Sequence, residues 1–188
     1  MKELFKSINT HVDTTKLSCI ELFGRTGEWH TMDYMDQVKS LDILELEEGY
    51  REILQLNCPR ARIMIGDTMR IIQSPLIGTY DMIVIDAPDR MWGENDLQQV
   101  NCEHFEIPPL LKNLIHDTAI VIFNVVKDSH PDITKDRWLR RKEFYQGTDK
   151  YLIFYNNLFE KLGYNVNWFI TKERNRWVDY FCFSLTKI

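Results

Sequence analysis

The sequence predicts an α/β fold: helices cover both faces of a mostly parallel sheet that has one antiparallel strand near its edge. Three observations predict it. Short apolar runs alternate with helical patterns four times between residues 17 and 126. The run Met82-Ile83-Val84-Ile85 is unbroken, as suits a strand buried on both faces. The last two strand patterns are joined only by residues 172–176, too few for the crossover that a parallel pair requires.

Bulk properties narrow the class. A chain of 188 residues, 44% apolar and 27% charged, is expected to form a soluble single domain spanning 1–188. A net charge of -5 opposes a general nucleic-acid binder. No apolar run approaches the roughly 20 residues of a membrane span. Cys19, Cys58, Cys102 and Cys182 are widely spaced with no C-x-x-C pair, and Cys19 and Cys182 fall inside apolar strands as inert thiols. A cytoplasmic protein is expected, with no membrane partner.

Residues 1–16 form a lead-in with a short helix, and His11 is expected at the surface. A strand over 17–22 runs into the turn Gly24-Arg25-Thr26-Gly27. A helix over 28–39 should pack the stripe Trp29, Met32, Met35 and Val38 on the sheet, with His30 solvated or, alternatively, facing the mouth of the turn. The second strand covers 41–46, and Glu47-Glu48 opens a helix that Cys58-Pro59 stops. The third, 61–65, ends in Gly66-Asp67-Thr68, where Asp67 can cap the short helix 69–73. The fourth, 80–85, ends at Asp86-Ala87-Pro88. Pro108-Pro109 starts a helix with Leu110, Leu111, Leu114 and Ile115 inward, before the fifth strand at 118–126. A helix over 151–162 stops at Gly163, followed by strands at 164–171 and 177–186.

In a parallel α/β sheet, ligands bind at the carboxyl ends of the strands, near the point where strand order reverses. This chain places a polar group at nearly every such end: the 24–27 turn, Glu45, Asp67, Asp86 and Asn124. The set suits a nucleoside. A carboxylate after the second strand can accept both ribose hydroxyls, an aspartate after the third can accept an exocyclic amine, and the N–H groups of the turn can approach an anionic tail.

The order and spacing over residues 17–186 resemble a class I S-adenosylmethionine-dependent methyltransferase, whose fold is a Rossmann-like three-layer sandwich. The stretch ELFGRTG resembles that family's D/E-L-F-x-G-x-G variant, with Glu21 as its acid, Gly27 as its last glycine and Arg25 where the middle glycine is usual. The resemblance implies S-adenosylmethionine held by Glu21, Phe23, Gly24, Arg25, Thr26 and Gly27, by Glu45 and Leu46 at the ribose, by Gly66, Asp67 and Thr68 at the adenine, and by Asp86. An arginine disfavours positive φ, which puts the path of the loop in question.

Asp86-Ala87-Pro88 stands where the family's reaction site begins, and it is not the D/N-P-P-Y/F motif of amino-group methylation on nucleic acid. A hydroxyl acceptor needs a base, for which Asp86 and Asp89 are the candidates. Asp86, Asp89 and Asn124 are also oxygen ligands able to hold Mg²⁺, a reading not favoured over Asp86 bonding its own loop or the cofactor's amino group. Segments 91–107 and 127–150 should overhang the pocket and supply its substrate wall: Trp92, His104, His130, Trp138, Arg140 and Arg141. The basic run over 137–142 suits either a solvated helix face or an anionic acceptor. Methylation of a small-molecule or sugar-like acceptor at oxygen is the function expected. RNA methylation and a non-catalytic scaffold are the alternatives.

Overall fold

In the computed structural model, which describes residues 1–28, 30–86, 106–127 and 151–188, seven strands form one sheet in the order β3-β2-β1-β4-β5-β7-β6. The strands are β1 Ser18–Leu22, β2 Ser40–Glu45, β3 Arg62–Ile65, β4 Met82–Ile85, β5 Thr118–Val126, β6 Tyr164–Asn175 and β7 Val178–Lys187. β1 to β5 are parallel, and β7 runs antiparallel between β5 and β6. The mostly parallel sheet with a reversed strand near its edge is therefore as the sequence predicts. Strand order reverses between β1 and β4, so the crevice of the sheet opens beyond Leu22 and Ile85, which pair across that boundary.

Period-2 alternation sends successive side chains to opposite faces. Ile20, Leu22, Ile83, Ile85, Phe123 and Phe183 join one core, which α5 (Tyr151–Lys161) covers with Tyr155 and Phe159. Cys19, Ile43, Met82, Val84, Ile122 and Cys182 join the other, which α1 (Lys2–Ile8) covers with Leu4, Phe5 and Ile8. The lead-in is thus a structural cover, and Phe5 stacks on Tyr34 with ring centroids 4.9 Å apart. Cys19, Cys58 and Cys182 are buried free thiols, while Cys102 lies outside the described residues. No helix among the described residues is long and apolar enough to cross a membrane.

Three expected elements differ. The helix expected over 28–39 contracts to α2 (Thr31–Tyr34) and a 3-10 turn at Met35–Gln37. Its inward residues are Thr31, Tyr34 and Val38, whereas Met32 is 49% exposed and Trp29 lies outside the described residues. Thr31 and Tyr34, three apart, both reach the buried Glu21, and that polar anchor sets which face turns inward. The segment after Pro108 is a 3-10 helix, Pro108–Asn113, with Leu111, Leu114 and Ile115 buried as expected. β6 continues four residues past its expected end, to Asn175. The other α-helices among the described residues are α3 (Arg51–Asn57), entered through a 3-10 turn at Glu48–Tyr50, and α4 (Thr68–Ile71).

Candidate functional site

The loop after β1 is fastened to the ends of its neighbours. Gly24 N–H donates to Leu44 O at 3.0 Å, Arg25 N–H donates to Glu45 Oε2 at 2.6 Å, and Gly27 N–H donates to Gly24 O at 2.9 Å. These three donors are engaged within the protein, so the expectation that they approach an anionic tail does not hold for them. Asn57 on α3 donates to Thr26 O at 2.8 Å and closes the loop from the other side.

The loop keeps a left-handed course in spite of its side chains. Phe23, Arg25 and Gly27 have φ of 67°, 51° and 73°. For the two non-glycine residues that conformation costs about 1–2 kcal/mol each. The Glu45 carboxylate offsets part of it by accepting the Arg25 N–H. The question that Arg25 raises in sequence is answered here: the backbone takes the glycine-like turn, and the guanidinium lies in an exposed position. Gly24 is fixed by contact, since a Cβ there would lie 2.1 Å from Ile43 Cγ2. Gly24→Ala is expected to destabilise the protein by about 1–3 kcal/mol through overpacking. A fall in the urea midpoint at unchanged m checks it.

Glu45 is 6% exposed, and its other oxygen accepts from Glu47 N–H at 2.8 Å. Beside it Leu46 is 59% exposed, an apolar surface at the strand tip. After β3, Gly66 N–H donates to Glu45 O at 2.8 Å, and Asp67 caps α4 by accepting from Met69 N–H at 2.9 Å. The capping reading of Asp67 is the contact seen; its side chain is half exposed and its second oxygen lies 3.4 Å from Arg70 Nε.

At the ends of β1, β4 and β5 lies a polar cluster. Glu21 is fully buried and accepts from Thr31 Oγ1 at 2.8 Å and from the Tyr34 hydroxyl. His30, expected in solvent or, alternatively, facing the mouth of the turn, is 1% exposed, with Nε2 3.3 Å from Asp86 Oδ2 and 3.7 Å from Glu21 Oε1. The shortened α2 turns it inward, under the ring of Tyr180 from β7. Asp86 accepts from Asn124 Nδ2 at 2.9 Å and from Arg174 Nη1 at 3.3 Å, both on Oδ1. Arg174 also lies over the Tyr180 ring, 5.6 Å from its centroid.

Burial dominates the electrostatics. It pushes the Glu21 carboxyl up to about 8, with Asp86 adding to the rise and the Tyr34 and Thr31 hydrogen bonds opposing it. It lifts Asp86 to about 6 against the pull of Arg174 and Asn124. It lowers His30 to about 3, helped by Arg174 and the N-terminal ammonium. At neutral pH Glu21 is therefore mostly protonated, His30 is neutral, and Asp86 is mostly ionised against Arg174.

Arg174 and Tyr180 are the residues that sequence reasoning did not bring to the site, whereas His30 answers to the alternative in which it faces the mouth of the turn. Arg174 has no signal in the sequence, since 172–175 reads Lys-Glu-Arg-Asn, polar throughout; the alternation that runs through it is one of burial in the folded β6. The register of β6 on β7 skips between Glu173 and Asn175, making Arg174 the extra residue of a bulge, a device that redirects a side chain. Asp89, Trp92, His104, His130, Trp138, Arg140 and Arg141 lie outside the described residues, as do both expected substrate-side segments apart from 106, 107 and 127.

No family model and no curated protein sequence matches the chain. Solved structures do. The magnesium protoporphyrin IX methyltransferase of Synechocystis PCC 6803, with bound S-adenosylhomocysteine, superposes with a TM-score of 0.60 at 11% identity, covering 99% of this chain and 81% of that one. This chain has the class I methyltransferase fold. The ribosomal protein L11 methylase of Lactobacillus delbrueckii subsp. bulgaricus gives a TM-score of 0.57 at 10% identity over 99% of this chain and 78% of that one. The O-methyltransferase NcsB1 of neocarzinostatin biosynthesis, in complex with S-adenosylhomocysteine and 1,4-dihydroxy-2-naphthoic acid, gives 0.59 at 16% over 98% of this chain and 53% of that one. These proteins are named for a porphyrin and a protein, or hold a naphthoic acid, so the shared fold leaves the acceptor open.

Proposed function

We propose that this protein transfers a methyl group from S-adenosylmethionine to an oxygen atom of a small-molecule acceptor. The observation that carries the reading is where the unpartnered polar atoms lie. Of the five buried side-chain atoms without hydrogen-bond partners among the described residues, three, His30 Nε2, Thr68 Oγ1 and Asn124 Oδ1, belong to residues toward the carboxyl ends of the parallel strands, while Asn156 Oδ1 lies on α5 and the Tyr164 hydroxyl at the opposite edge. Buried polar atoms without partners carry a cost that a polar ligand at the carboxyl edge relieves.

In this reading Glu45, already aligned by two backbone N–H groups, takes the ribose hydroxyls on its remaining lone pairs. Leu46 offers its exposed side chain to the adenine face, and Gly66, Asp67 and Thr68 border the base. The 23–27 loop, with Phe23, Gly24, Arg25, Thr26 and Gly27, lies along the methionine portion. Glu21 has no exposed surface and acts from beneath, positioning the loop through Thr31, Tyr34 and His30. S-adenosylmethionine supplies an electrophilic methyl on a sulfonium, and in-line displacement needs chiefly alignment of the acceptor. Asp86, titrating close to neutral pH, and Asp89 are the pair from which the proton acceptor is drawn.

Two measurements test this. Calorimetry should show one equivalent of S-adenosylhomocysteine bound, and a flat titration of the folded protein rules the reading out. Labelled cofactor offered with hydroxylated small molecules should then mark an acceptor at oxygen. Label appearing only in RNA or protein would replace the acceptor class and keep the chemistry.

A further inference from the structure

We propose that Glu21, His30 and Asp86 form a binding site for one divalent first-row transition-metal ion, in the class of manganese, cobalt or zinc. The three donor atoms, Glu21 Oε1, His30 Nε2 and Asp86 Oδ2, all lie within 4.8 Å of one another, and the two pairs involving the imidazole are separated by 3.3 Å and 3.7 Å. Metal–ligand bonds of about 2.0–2.2 Å put neighbouring donors roughly 3.0–3.5 Å apart, so small side-chain movements suffice to close the set.

The stronger argument is what surrounds these atoms. Each of the three side chains is gripped through its other polar atom. Tyr34 donates to Glu21 Oε2, Asn124 and Arg174 donate to Asp86 Oδ1, and the Tyr180 hydroxyl stands 3.5 Å from His30 Nδ1. The atoms left over are the ones that converge, with Thr31 Oγ1 sharing Glu21 Oε1. This is the outer-shell pattern of a metal centre, in which hydrogen bonds fix ligand orientation and leave the inner lone pairs free. His30 is the independent witness. It is 1% exposed, and its Nε2 has no hydrogen-bond partner among the described residues although it points between two carboxylates.

Chemistry narrows the ion. One imidazole nitrogen with two carboxylate oxygens suits borderline first-row ions; Mg²⁺ prefers oxygen ligands and its own waters, and the free cysteines are not part of the set. The magnesium reading of Asp86, Asp89 and Asn124, which the sequence offers without favouring it, is a different arrangement, because Asn124 here serves Asp86 from behind. Asp86 is the donor with residual exposure, at 13%, so the way in runs past it. With the ion bound Asp86 becomes a ligand, and of the two candidate proton acceptors Asp89 is left.

The site is tested without S-adenosylmethionine, so its failure is separate from failure of the methyl-transfer reading. Full-length protein stripped with a chelator and exchanged into chelator-free buffer is titrated with Zn²⁺, Mn²⁺ and Co²⁺, with Mg²⁺ for contrast. Expected are one equivalent of tight binding, a rise in melting temperature, and a visible Co²⁺ spectrum of mixed nitrogen and oxygen ligation. His30→Gln and Asp86→Asn should each weaken binding by more than tenfold. Should either fail to fold, Tyr180→Phe removes only an outer partner and should weaken binding by roughly tenfold or more. Absence of binding to the wild-type protein overturns the proposal, and so does equal binding to the folded variants, which would place the ion elsewhere.

Discussion

Glu45→Ala is expected to abolish measurable S-adenosylhomocysteine binding and to lower the melting temperature of the ligand-free protein. Both follow from one carboxylate. Glu45 is 6% exposed and accepts from Arg25 N–H and Glu47 N–H, so alanine strands two backbone donors. Arg25 and Glu47 are exposed residues and both bonds are part-buried, so each loss costs about 0.5–1.5 kcal/mol. For a chain of this size that total corresponds to roughly 2–12 °C in melting temperature. The Arg25 N–H belongs to a residue with φ of 51°, so the bond that offsets a strained backbone is the one removed. The loop then has reason to relax toward negative φ, which moves the wall that the methionine portion would lie on. Glu45→Gln separates the two effects. Its amide keeps one acceptor oxygen, so it should recover part of the lost stability while binding stays well below wild type. A folded Glu45→Ala protein that binds the ligand normally would remove Glu45 from the ribose, and an unchanged melting temperature would remove it from the loop.

The parts of this site that the sequence reveals share a cause. Glu45, Asp67, Asp86 and Asn124 lie where strand patterns end, and a parallel sheet delivers all such ends to one edge. Periodicity therefore locates them without any knowledge of contacts. Where it misleads, a tertiary contact outweighs a local pattern. Met32 belongs to an apolar stripe at helical spacing yet is half exposed, because Thr31 and Tyr34 are drawn onto Glu21. His30, their neighbour, goes inward with them, although the sequence leaves it either solvated or facing the mouth of the turn. Arg174 is hidden for another reason: its aim depends on a one-residue slip between β6 and β7, which no single-strand pattern records. The opposite case is Arg25. There sequence chemistry argues against a left-handed turn, and the fold imposes one through hydrogen bonds to the next strand.

In chelator-treated protein, stability should fall relative to Glu21→Gln by about 1.5 kcal/mol between pH 6.5 and pH 8. The sign follows from Glu21 alone. Its ordinary value is 4.5, and in the fold burial raises it to about 8. A carboxyl whose folded value lies above its unfolded value contributes stability that is complete below the unfolded value. That contribution is lost as pH rises toward the folded value, because the unfolded chain has released a proton that the native state still holds. Other groups titrate nearby in both directions. Asp86, raised from 3.8 to about 6, acts in the same sense at lower pH. His30, lowered from 6.5 to about 3, acts in the opposite sense below pH 6.5, and the N-terminal amine, lowered by burial, opposes the trend from higher pH. Subtracting the variant removes the shared part of these terms. Glu21→Gln preserves the shape and one acceptor oxygen for Tyr34 or Thr31 while carrying no titrating proton, so the pH dependence of the difference between the two proteins reports Glu21. Urea unfolding of both at several pH values measures it. Parallel curves would mean that Glu21 is ionised in the folded protein, with a compensating cation or proton elsewhere in the cluster, and would contradict the buried neutral acid described above.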